Sequence, residues 1–350
     1  MKYLVTGGAG FIGSALCHAL MQEPDTELTV VDKLSYAANL ASLAAFAGNP
    51  RYRFAQADIC DGPAMRDLMA VARPDAVFHL AAETHVDRSI DSAAAFIQTN
   101  VVGTYQLLEA ALQYWTKLPA EEAARFRFVH VSTDEVFGAL RAEGQFTEAT
   151  PYDPSSPYSA SKAGSDHIVR AWHRTYGLPV VVSNCSNNYG ARQFPEKLIP
   201  LTILNALRGA PISVYGKGEN VRDWLFVDDH ARALIALARM APAGETYMIG
   251  GGAERTNLQV VNTICSLLDA RFPERAPHAN LIRFVADRPG HDFRYSVNCS
   301  KIAHDLGWRP KIAFEAGMEG TVRWYLENED WWAPLRARVY TGQRLGLSAG

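Results

Sequence analysis

The sequence predicts an α/β protein in which a parallel sheet carries helices on both faces. Over residues 1–182, short apolar runs alternate with stretches of helical periodicity, and the first run leads directly into glycines. This alternation is typical of strand–helix–strand units, whose strands lie parallel in one sheet. A chain of 350 residues is long enough for a large core. The predicted strands are residues 3–5, 28–31, 53–55, 76–80, 126–131 and 179–182.

A glycine-rich turn follows the first predicted strand. Gly8, Gly10 and Gly13 fit the spacing G-x-G-x-x-G, and Gly7, Gly10 and Gly13 fit a related spacing. Glycine permits a tight turn and lets backbone N–H groups approach a pyrophosphate at a helix start. The motif alone is weak, but Asp32 ends the second run 19 residues after Gly13, where a carboxylate binds ribose hydroxyls. The sequence therefore predicts a Rossmann-type doubly wound sheet that binds a dinucleotide.

Asp32 also bears on which dinucleotide is bound. A carboxylate at this position repels a 2′-phosphate, so NAD is favoured over NADP, although Lys33 beside it softens the preference. Ligands of open α/β sheets bind at the carboxyl ends of strands. Asp58 and Ile59 follow the third run and can meet the adenine, or Asp58 can do no more than cap a turn. Small side chains after the fourth run let a cofactor lie close to the backbone at Leu80, Ala81 and Ala82.

Composition narrows the class of protein. The net charge is −3, which does not suggest a nucleic-acid partner, and no apolar run is long enough to span a membrane. The N-terminus lacks a signal-peptide pattern. Five scattered cysteines without a C-x-x-C motif suit reduced thiols in the cytoplasm. The ten histidines show no paired spacing, so no metal site is predicted.

The alternation loosens after residue 182, where prolines and glycines separate shorter apolar segments. We predict a Rossmann domain at residues 1–182, to which the chain can return later, and a smaller C-terminal α/β substrate-binding lobe at residues 183–335. Residues 336–350 are polar and are predicted to form a poorly ordered tail. Smaller elements that cap the sheet are expected at residues 245–249, 258–268, 300–306 and 314–326.

Tyr158 and Lys162 stand four residues apart, directly after Pro157, which favours a helix start. Both side chains then lie on one helix face. A free tyrosine has a pKa near ~10 and is a poor base. A lysine cation about 4 Å away is worth roughly 4 kcal/mol at an effective dielectric of 20, or about three pKa units. We therefore expect Lys162 to make Tyr158 a base for a substrate hydroxyl. This spacing is common on surfaces, but here it follows a dinucleotide motif.

A second set of reactive groups ends the fifth predicted strand. Asp134 and Glu135 would point to opposite faces of a continuing strand, so they can reach one site only if the chain turns there. Gly138 just beyond makes a turn plausible. Two carboxyl groups held close together differ in pKa, which leaves one as an acid and the other as a base. Thr133 can hydrogen-bond a hydroxyl of the same substrate. The alternative interpretation is a solvated acidic turn.

These motifs resemble those of the extended short-chain dehydrogenase/reductases and, within them, the dTDP-glucose 4,6-dehydratases, over residues 2–332. The Thr133–Glu135 triplet, the segment Phe-Pro-Glu-Lys at 194–197 and the string Asp-Arg-Pro-Gly-His at 287–291 are typical of the nucleotide-sugar dehydratases. Phe137 and Ala191 depart from the tyrosine and proline usual in the family. The segments that carry the resemblance are residues 5–13, 81–90, 132–138, 155–162, 184–190, 194–200, 222–224 and 287–291.

The resemblance implies a hydro-lyase that converts dTDP-glucose to dTDP-4-dehydro-6-deoxy-glucose and water, with NAD recycled. Tyr158 would take the proton of the 4-hydroxyl as C4 is oxidised, and hydride would return to C6 at the end. Between these steps, Glu135 would remove the C5 proton while Asp134 protonates the departing 6-hydroxyl. Such a reaction belongs to deoxysugar biosynthesis, for example that of dTDP-rhamnose. The implied catalytic residues are Thr133, Asp134, Glu135, Tyr158 and Lys162.

The resemblance also implies two sets of binding residues. The predicted NAD-binding residues are Gly7, Gly10, Phe11, Ile12, Gly13, Asp32, Lys33, Leu34, Asp58, Ile59, Leu80, Ala81, Ala82, Thr99, Tyr158, Lys162 and Asn188. The predicted nucleotide-sugar residues are Thr84, Thr133, Asn187, Glu196, Lys197, Leu198, Pro200, Leu201, Ser213, Val214, Tyr215, Arg222, Asn257, Asp287, Arg288, Pro289, Gly290 and His291.

Family members form homodimers through two long helices, here about residues 93–112 and 157–176. Three alternatives remain open at this stage. One is a 4-epimerase or decarboxylase of the same fold, which would have no need of Asp134 and Glu135 for elimination. Another is a dehydratase specific for a UDP- or GDP-sugar. The third, from a different class, is a non-catalytic NAD-binding regulatory protein.

Overall fold

A computed structural model describes residues 1–287, 290–338 and 340. The strands are β1 Lys2–Thr6, β2 Glu27–Asp32, β3 Tyr52–Gln56, β4 Ala76–His79, β5 Arg127–Thr133, β6 Val180–Cys185, β7 Asn187–Tyr189, β8 Ile212–Tyr215, β9 Val221–Phe226, β10 Thr246–Ile249, β11 Glu254–Thr256 and β12 Ile282–Val285. The α-helices are α1 Phe11–Met21, α2 Gly62–Ala72, α3 Val86–Asp91, α4 Ala93–Phe96, α5 Thr104–Trp115, α6 Ala120–Arg125, α7 Pro157–Tyr176, α8 Leu198–Leu207, α9 Val227–Met240, α10 Asn257–Arg271, α11 Ser300–Leu306, α12 Phe314–Glu327 and α13 Glu329–Arg338.

Within these residues, seven strands form one parallel sheet in the order β3-β2-β1-β4-β5-β6-β10. The predicted doubly wound α/β fold and its six strands are therefore confirmed. The strands are almost wholly apolar and buried on both faces, as β4 and β6 illustrate, because helices cover both sides of a parallel sheet. The order reverses between β1 and β4, which creates a crevice at the carboxyl ends of the strands.

The seventh strand was not expected in this sheet. Residues 245–249 were predicted as a small capping element, but β10 lies parallel to β6, with Thr246 opposite Val182. Three residues of this strand, Tyr247, Met248 and Ile249, have no exposed surface. Their apolar side chains suit a strand that other elements cover on both faces. The preceding helix α9 packs with α1 in the core cluster beneath the sheet.

The long helix predicted at residues 93–112 is present but is wound in three parts. A π-helical segment, Ile97–Gly103, joins α4 to α5. It directs Thr99 and Asn100 into the interior, where the Asn100 amide donates to Ser161 Oγ of α7 at 2.9 Å. Such single-turn widenings of a helix are frequent at functional sites.

A second group of elements lies beyond β6. Sheets β11-β9-β7 and β12-β8 pack with α8, α10, α12 and α13 around a second core cluster that includes Trp224 and Phe314. Of the predicted tail, α13 continues to Arg338 and Tyr340 is buried; residues 339 and 341–350 lie outside the described residues. In the described part of the chain, no helix has the length and hydrophobicity required to cross a membrane.

Candidate active site

The glycine loop after β1 packs closer to its neighbours than any side chain would allow. Gly7 has a φ of 71°, and a Cβ there would lie 2.7 Å from the Ala81 nitrogen. A Cβ on Gly13 would lie 2.2 Å from the Gly7 oxygen. The loop thus brings the start of α1, at Phe11, to the crevice with no charged residue in its first turn. The positive end of the helix dipole and its backbone donors fit the pyrophosphate of a dinucleotide.

Asp32 lies at the end of β2 and faces the same crevice. Its carboxylate accepts hydrogen bonds from the backbone N–H groups of Ala9, at 3.0 Å, and Leu34, at 2.8 Å. Burial raises the pKa of Asp32, and these two hydrogen bonds oppose the rise. Each carboxylate oxygen keeps a further lone pair, so ribose hydroxyls can bind there.

The Lys33 ammonium group contacts acidic and polar side chains. It lies 3.3 Å from Glu83, 3.9 Å from Asp58 and 3.0 Å from the Thr99 hydroxyl. These two carboxylates balance the Lys33 charge, so it offers little attraction to a 2′-phosphate. The site therefore favours NAD over NADP more strongly than the presence of Lys33 beside Asp32 suggests.

The chain turns immediately after β5, as the joint use of Asp134 and Glu135 requires. A 3₁₀ turn, Asp134–Phe137, replaces the strand, and the Thr133 side chain caps it by accepting from the Glu135 N–H at 3.2 Å. Gly138 closes the turn with a φ of 78°. Both carboxyl groups consequently line the crevice.

The Asp134 side chain is buried away from water. Only 1% of Asp134 is exposed, and its Oδ2 has no hydrogen-bond partner among the described residues. Burial, and next the Glu135 charge, raise the pKa of Asp134 well above its usual value, while Arg222 opposes the rise. The raised pKa favours the protonated form of the Asp134 carboxyl, which suits an acid.

Tyr158 and Lys162 lie one helical turn apart in α7, and both face the crevice. The helix starts at Pro157 behind a capping box formed by Ser156 and Ser159, as the sequence suggests. The Lys162 ammonium donates to the Val131 carbonyl at 2.9 Å, which fixes it against β5.

The lysine cation by itself does not lower the Tyr158 pKa. Burial and the Glu135 charge raise this pKa well above its usual value, although a hydrogen bond with Thr133 opposes the rise. The expectation, in which a nearby NAD⁺ also contributes, left out the loss of water around the phenol. In this chain, the cost of charging a buried phenol outweighs the attraction of Lys162.

Glu196 lies in a network that joins helix α3 and two loops beside the crevice. Its side chain is 1% exposed and accepts from the Tyr36 hydroxyl at 2.9 Å and from two Arg88 nitrogens at 3.1 Å. The Arg88 guanidinium also covers the Tyr36 ring at 3.8 Å. Beside it, Lys197 donates to the Thr84 carbonyl at 3.3 Å. The predicted substrate residues Glu196, Lys197 and Thr84 are thus brought together.

Other predicted substrate residues form a second group, in the two-stranded sheet and the loop after it. Strand β8, with Ser213, Val214 and Tyr215, pairs with β12. The loop after β12 places the His291 ring 6.1 Å from the Tyr215 ring and its Nδ1 2.6 Å from Asp287. Gly290 belongs to this loop, whereas the predicted residues Arg288 and Pro289 lie outside the described residues.

Arg222 connects this group with the reactive carboxyls. It is buried, donates to the Asp292 carbonyl at 2.9 Å and lies 4.2 Å from the centre of the Tyr295 ring. Its charge opposes the rise in the Asp134 pKa, although Arg222 is not among the lining residues of the crevice. Asn257 starts α10, and its backbone N–H donates to the Asn220 carbonyl. Leu198, Pro200 and Leu201 form the first turn of α8.

The crevice has a volume of about 290 Å³ and brings most predicted cofactor residues together. Leu34 and Asp58 are not among its lining residues. The predicted residues that line it are Gly7, Gly10, Phe11, Ile12, Gly13, Asp32, Lys33, Ile59, Leu80, Ala81, Ala82, Thr84, Thr99, Thr133, Asp134, Glu135, Tyr158, Lys162, Asn187, Asn188, Glu196 and Lys197.

Several lining residues had not been predicted. Ser132, Cys185 and Ser186 stand at the ends of β5 and β6, where the strand-end rule directs attention, but no role had been assigned to them. Phe194 belongs to the Phe-Pro-Glu-Lys segment that carries the family resemblance, although it was not named as a site residue. The other lining residues, Ser35, Ala37, Ala38 and Gln193, carry no comparable signal in the sequence.

A glycine loop, a strand-end aspartate and a buried Tyr–Lys pair define a dinucleotide-binding α/β class of enzyme sites. The family model described as GDP-mannose 4,6 dehydratase matches residues 4–321, and the chain belongs to this family. It is 58% identical over 350 residues to the dTDP-glucose 4,6-dehydratase of Neisseria meningitidis serogroup B, covering 99% of each chain. It is 55% identical over 349 residues to dTDP-glucose 4,6-dehydratase 1 of Escherichia coli K12, covering 97% of each.

A solved structure of a dTDP-glucose 4,6-dehydratase is also similar to this chain. The dTDP-glucose 4,6-dehydratase DesIV of Streptomyces venezuelae, solved with NAD bound, is 46% identical. It superposes with a TM-score of 0.87 over 96% of this chain and 100% of DesIV. The resemblance predicted from the motifs is confirmed.

Proposed function

We propose that this protein is a dTDP-glucose 4,6-dehydratase that uses NAD and converts dTDP-glucose to dTDP-4-dehydro-6-deoxy-glucose and water. The observation that carries the proposal is that two pairs of reactive side chains line one crevice. Tyr158 and Lys162 suit an oxidation at a sugar hydroxyl, and Asp134 with Glu135 suits an elimination. An epimerase has no elimination to catalyse, and a non-catalytic protein has no use for a buried protonated carboxyl. The sequence identity of 54–60% with known dTDP-glucose 4,6-dehydratases supports the assignment of dTDP-glucose as the substrate.

The residues at the sheet edge fit NAD. The start of α1 would hold the pyrophosphate, Asp32 the ribose, and Thr99, Asn188 and the small residues 80–82 the remainder. When bound, NAD supplies a hydride acceptor for the sugar C4 and later the hydride that C6 receives. The cationic nicotinamide also offsets the burial that raises the Tyr158 pKa.

Tyr158 takes the proton of the sugar 4-hydroxyl at its phenolic oxygen. Lys162 lies one helical turn away and stabilises the phenolate that this step requires. Thr133, whose hydroxyl interacts with both Tyr158 and Asp134, is placed to hydrogen-bond the same hydroxyl. The sugar thereby becomes a 4-ketone, which makes its C5–H acidic.

Elimination then uses the turn after β5. The Glu135 carboxylate removes the C5 proton, and the protonated Asp134 gives its proton to the departing 6-hydroxyl as water leaves. The raised pKa of Asp134 favours the protonated form that this step requires. The two carboxyl groups differ in environment, and this difference assigns the acid and the base.

Incubation of dTDP-glucose with the protein in deuterated water, without added reductant, tests the function. We expect the loss of one water and the retention of one deuterium at C5, measured by mass spectrometry. UDP-glucose and GDP-mannose serve as parallel substrates. Unchanged dTDP-glucose together with dehydration of either alternative would reassign the nucleotide and leave the chemistry intact.

A substitution at Asp32 tests the cofactor site. Asp32→Asn keeps the side-chain shape but removes the charge that repels a 2′-phosphate. We expect weaker binding of NAD and a smaller preference for NAD over NADP, by about tenfold for one lost charge-assisted hydrogen bond. Isothermal calorimetry on protein stripped of cofactor measures both affinities. An unchanged NAD:NADP ratio would contradict the role of Asp32.

We further propose that the protein forms a homodimer through α5 and α7. These helices share an aromatic surface in which the Trp172 ring contacts both Tyr105 and Tyr176. Tyr105 is 40% exposed and Tyr176 is 50% exposed. Exposed aromatic side chains that lie together are typical of protein interfaces.

Tyr105→Glu tests the dimer. A charge at the centre of this aromatic surface is expected to convert the dimer to a monomer in sedimentation velocity experiments. Val71→Glu is the matched control, because Val71 is an exposed apolar residue of α2 outside the surface. If both variants sediment like the unmodified protein, the interface lies elsewhere.

Three broader assignments complete the proposal. Residues 1–182 form the NAD-binding unit, to which β10 adds a strand, and residues 183–335 supply the nucleotide-sugar lobe, whose core cluster also includes Tyr340 beyond that boundary. The five cysteines all lie in the described part of the chain as free thiols, which supports a cytoplasmic enzyme. A 4-keto-6-deoxy product would enter deoxysugar biosynthesis, such as that of dTDP-rhamnose.

A further inference from the structure

Helix α7 carries a third buried ionisable group behind the Tyr158–Lys162 pair. Asp166 follows Lys162 by four residues, as Lys162 follows Tyr158, so the three side chains lie along one helix face. Asp166 has no exposed surface. It does not line the crevice, and a role in proton transfer must therefore act through its neighbours.

Asp166 is surrounded by hydrogen-bond donors. Its Oδ1 lies 3.0 Å from His130 Nε2, and its Oδ2 accepts from the Tyr152 hydroxyl at 2.8 Å and the Asn184 amide at 3.2 Å. Burial raises the pKa of Asp166, but His130, Lys162 and Tyr152 outweigh it and the pKa falls below its usual value. Asp166 is therefore an ionised carboxylate in the protein interior.

His130 orients this carboxylate without neutralising it. Burial and then the Lys162 charge lower the pKa of His130 to about 4, so the ring is neutral near pH 7. The Ser165 hydroxyl donates to the Lys162 carbonyl at 2.8 Å, which leaves its lone pairs for His130 Nε2 at 3.2 Å. The ring hydrogen is thus on Nε2 and points at Asp166, while Nδ1 has no partner among the described residues.

Lys162 needs a counter-charge at this depth. Burial lowers its pKa, and the Asp166 carboxylate is the main group that opposes the fall. The Cys185 thiol beside it is neutral, because burial raises its pKa to about 12. Several ionisable groups surround Lys162 and Asp166: Tyr158 and Arg170 of α7, Tyr152 before α7, His79 of β4, His130 of β5, Asp134 and Glu135 of the turn after β5, and Cys185 of β6.

We propose that Asp166 is a positioning residue for the Tyr158–Lys162 pair, whose buried carboxylate keeps the Lys162 ammonium protonated while Tyr158 accepts the proton of the sugar 4-hydroxyl. The consequence for turnover rests on the function proposed above. The coupling between Asp166 and Lys162 does not depend on that function and can be measured without substrate.

Trace acetylation of the NAD-loaded protein with acetic anhydride tests the coupling. The reagent modifies only the neutral amine, so labelling of the Lys162 peptide against pH, followed by mass spectrometry, reports its protonation. We expect D166N to lower the midpoint of this titration by at least about one pH unit, since an opposite charge nearby has been removed. Asparagine preserves the shape, and a change of His130 tautomer preserves the hydrogen bonds.

Two comparisons separate charge from folding. D229N removes another carboxylate without exposed surface, which accepts from the Lys311 and Ile312 N–H groups, and should leave the Lys162 midpoint unchanged. D166E and D166Q have equal size but differ in charge, so they repeat the test if D166N does not fold. A Lys162 midpoint that is the same in D166N and D166Q as in the unmodified protein overturns the proposal.

The pH profile of kcat connects the coupling to turnover. With dTDP-glucose, D166N should move the alkaline limb of the profile to lower pH, because Lys162 loses its proton sooner, whereas D229N should not. A merely structural role would lower thermal stability and leave this limb in place, and that result also contradicts the proposal. If the unmodified protein does not turn over dTDP-glucose, the proposed function fails, while the labelling result still decides the role of Asp166.

Discussion

Tyr158→Phe is expected to lower kcat with dTDP-glucose by about 100- to 10,000-fold, the range usual for the loss of a general base. The substitution removes only the hydroxyl that accepts the proton. The ring of Tyr158, which is 7% exposed and meets Phe96 edge-on at 6.3 Å, keeps its packing. The measurement is the initial rate of water loss, followed by mass spectrometry of the sugar nucleotide.

Two controls make this result specific. The variant should retain NAD and melt at nearly the same temperature as the unmodified protein, because no buried partner of the phenol is left charged. Phe96→Leu is a matched control that alters the same ring contact but leaves the hydroxyl in place, and it should keep most of the activity. A Tyr158→Phe variant with normal turnover would show that another group accepts the proton of the 4-hydroxyl.

The central sheet was predictable because local sequence and tertiary position agree in it. Strands β1, β2 and β4 are short apolar runs whose side chains are buried on both faces, so the pattern needs no distant information. Strand β10 is as apolar and as short as β4, but it follows a stretch without clear alternation. Its place beside β6 depends on a pairing 64 residues away along the chain, between Thr246 and Val182.

The reactive residues were predictable for a similar reason. Tyr158, Lys162, Asp134 and Glu135 stand at spacings whose geometry a helix or a strand end determines. The protonation states of these four side chains were not predictable, because they depend on burial. The lysine cation dominates the Tyr158 pKa only in an environment with an effective dielectric near that of a protein surface, whereas the structure places the phenol deep in the crevice.

The contacts of the supporting residues could not be predicted, because each has a partner that is distant in the sequence. Glu196 pairs with Tyr36, which lies in the loop after β2, and with Arg88 of α3. Asp166 meets residues of β5 and β6 that show no motif of their own. Local spacing therefore identified reactive groups that line the crevice, and only the folded chain identified the contacts of the residues around them.

Glu135→Gln is expected to stop elimination while the first oxidation continues. Glutamine keeps the length of the side chain but cannot accept the C5 proton, so water loss should fall by about 100- to 10,000-fold. Incubation in deuterated water should then give neither dehydration nor deuterium at C5. Absorbance of the reduced nicotinamide should still appear on mixing with dTDP-glucose, because Tyr158 and Lys162 are intact.

Asp134→Asn provides the comparison that separates the acid from the base. It removes the proton donor for the 6-hydroxyl and leaves Glu135 able to remove the C5 proton. We therefore expect deuterium exchange at C5 without water loss, a pattern that Glu135→Gln cannot give. Asparagine also resembles the neutral form of the Asp134 carboxyl, which its raised pKa favours, so the fold should be retained. Exchange in Glu135→Gln and none in Asp134→Asn would reverse the two assignments.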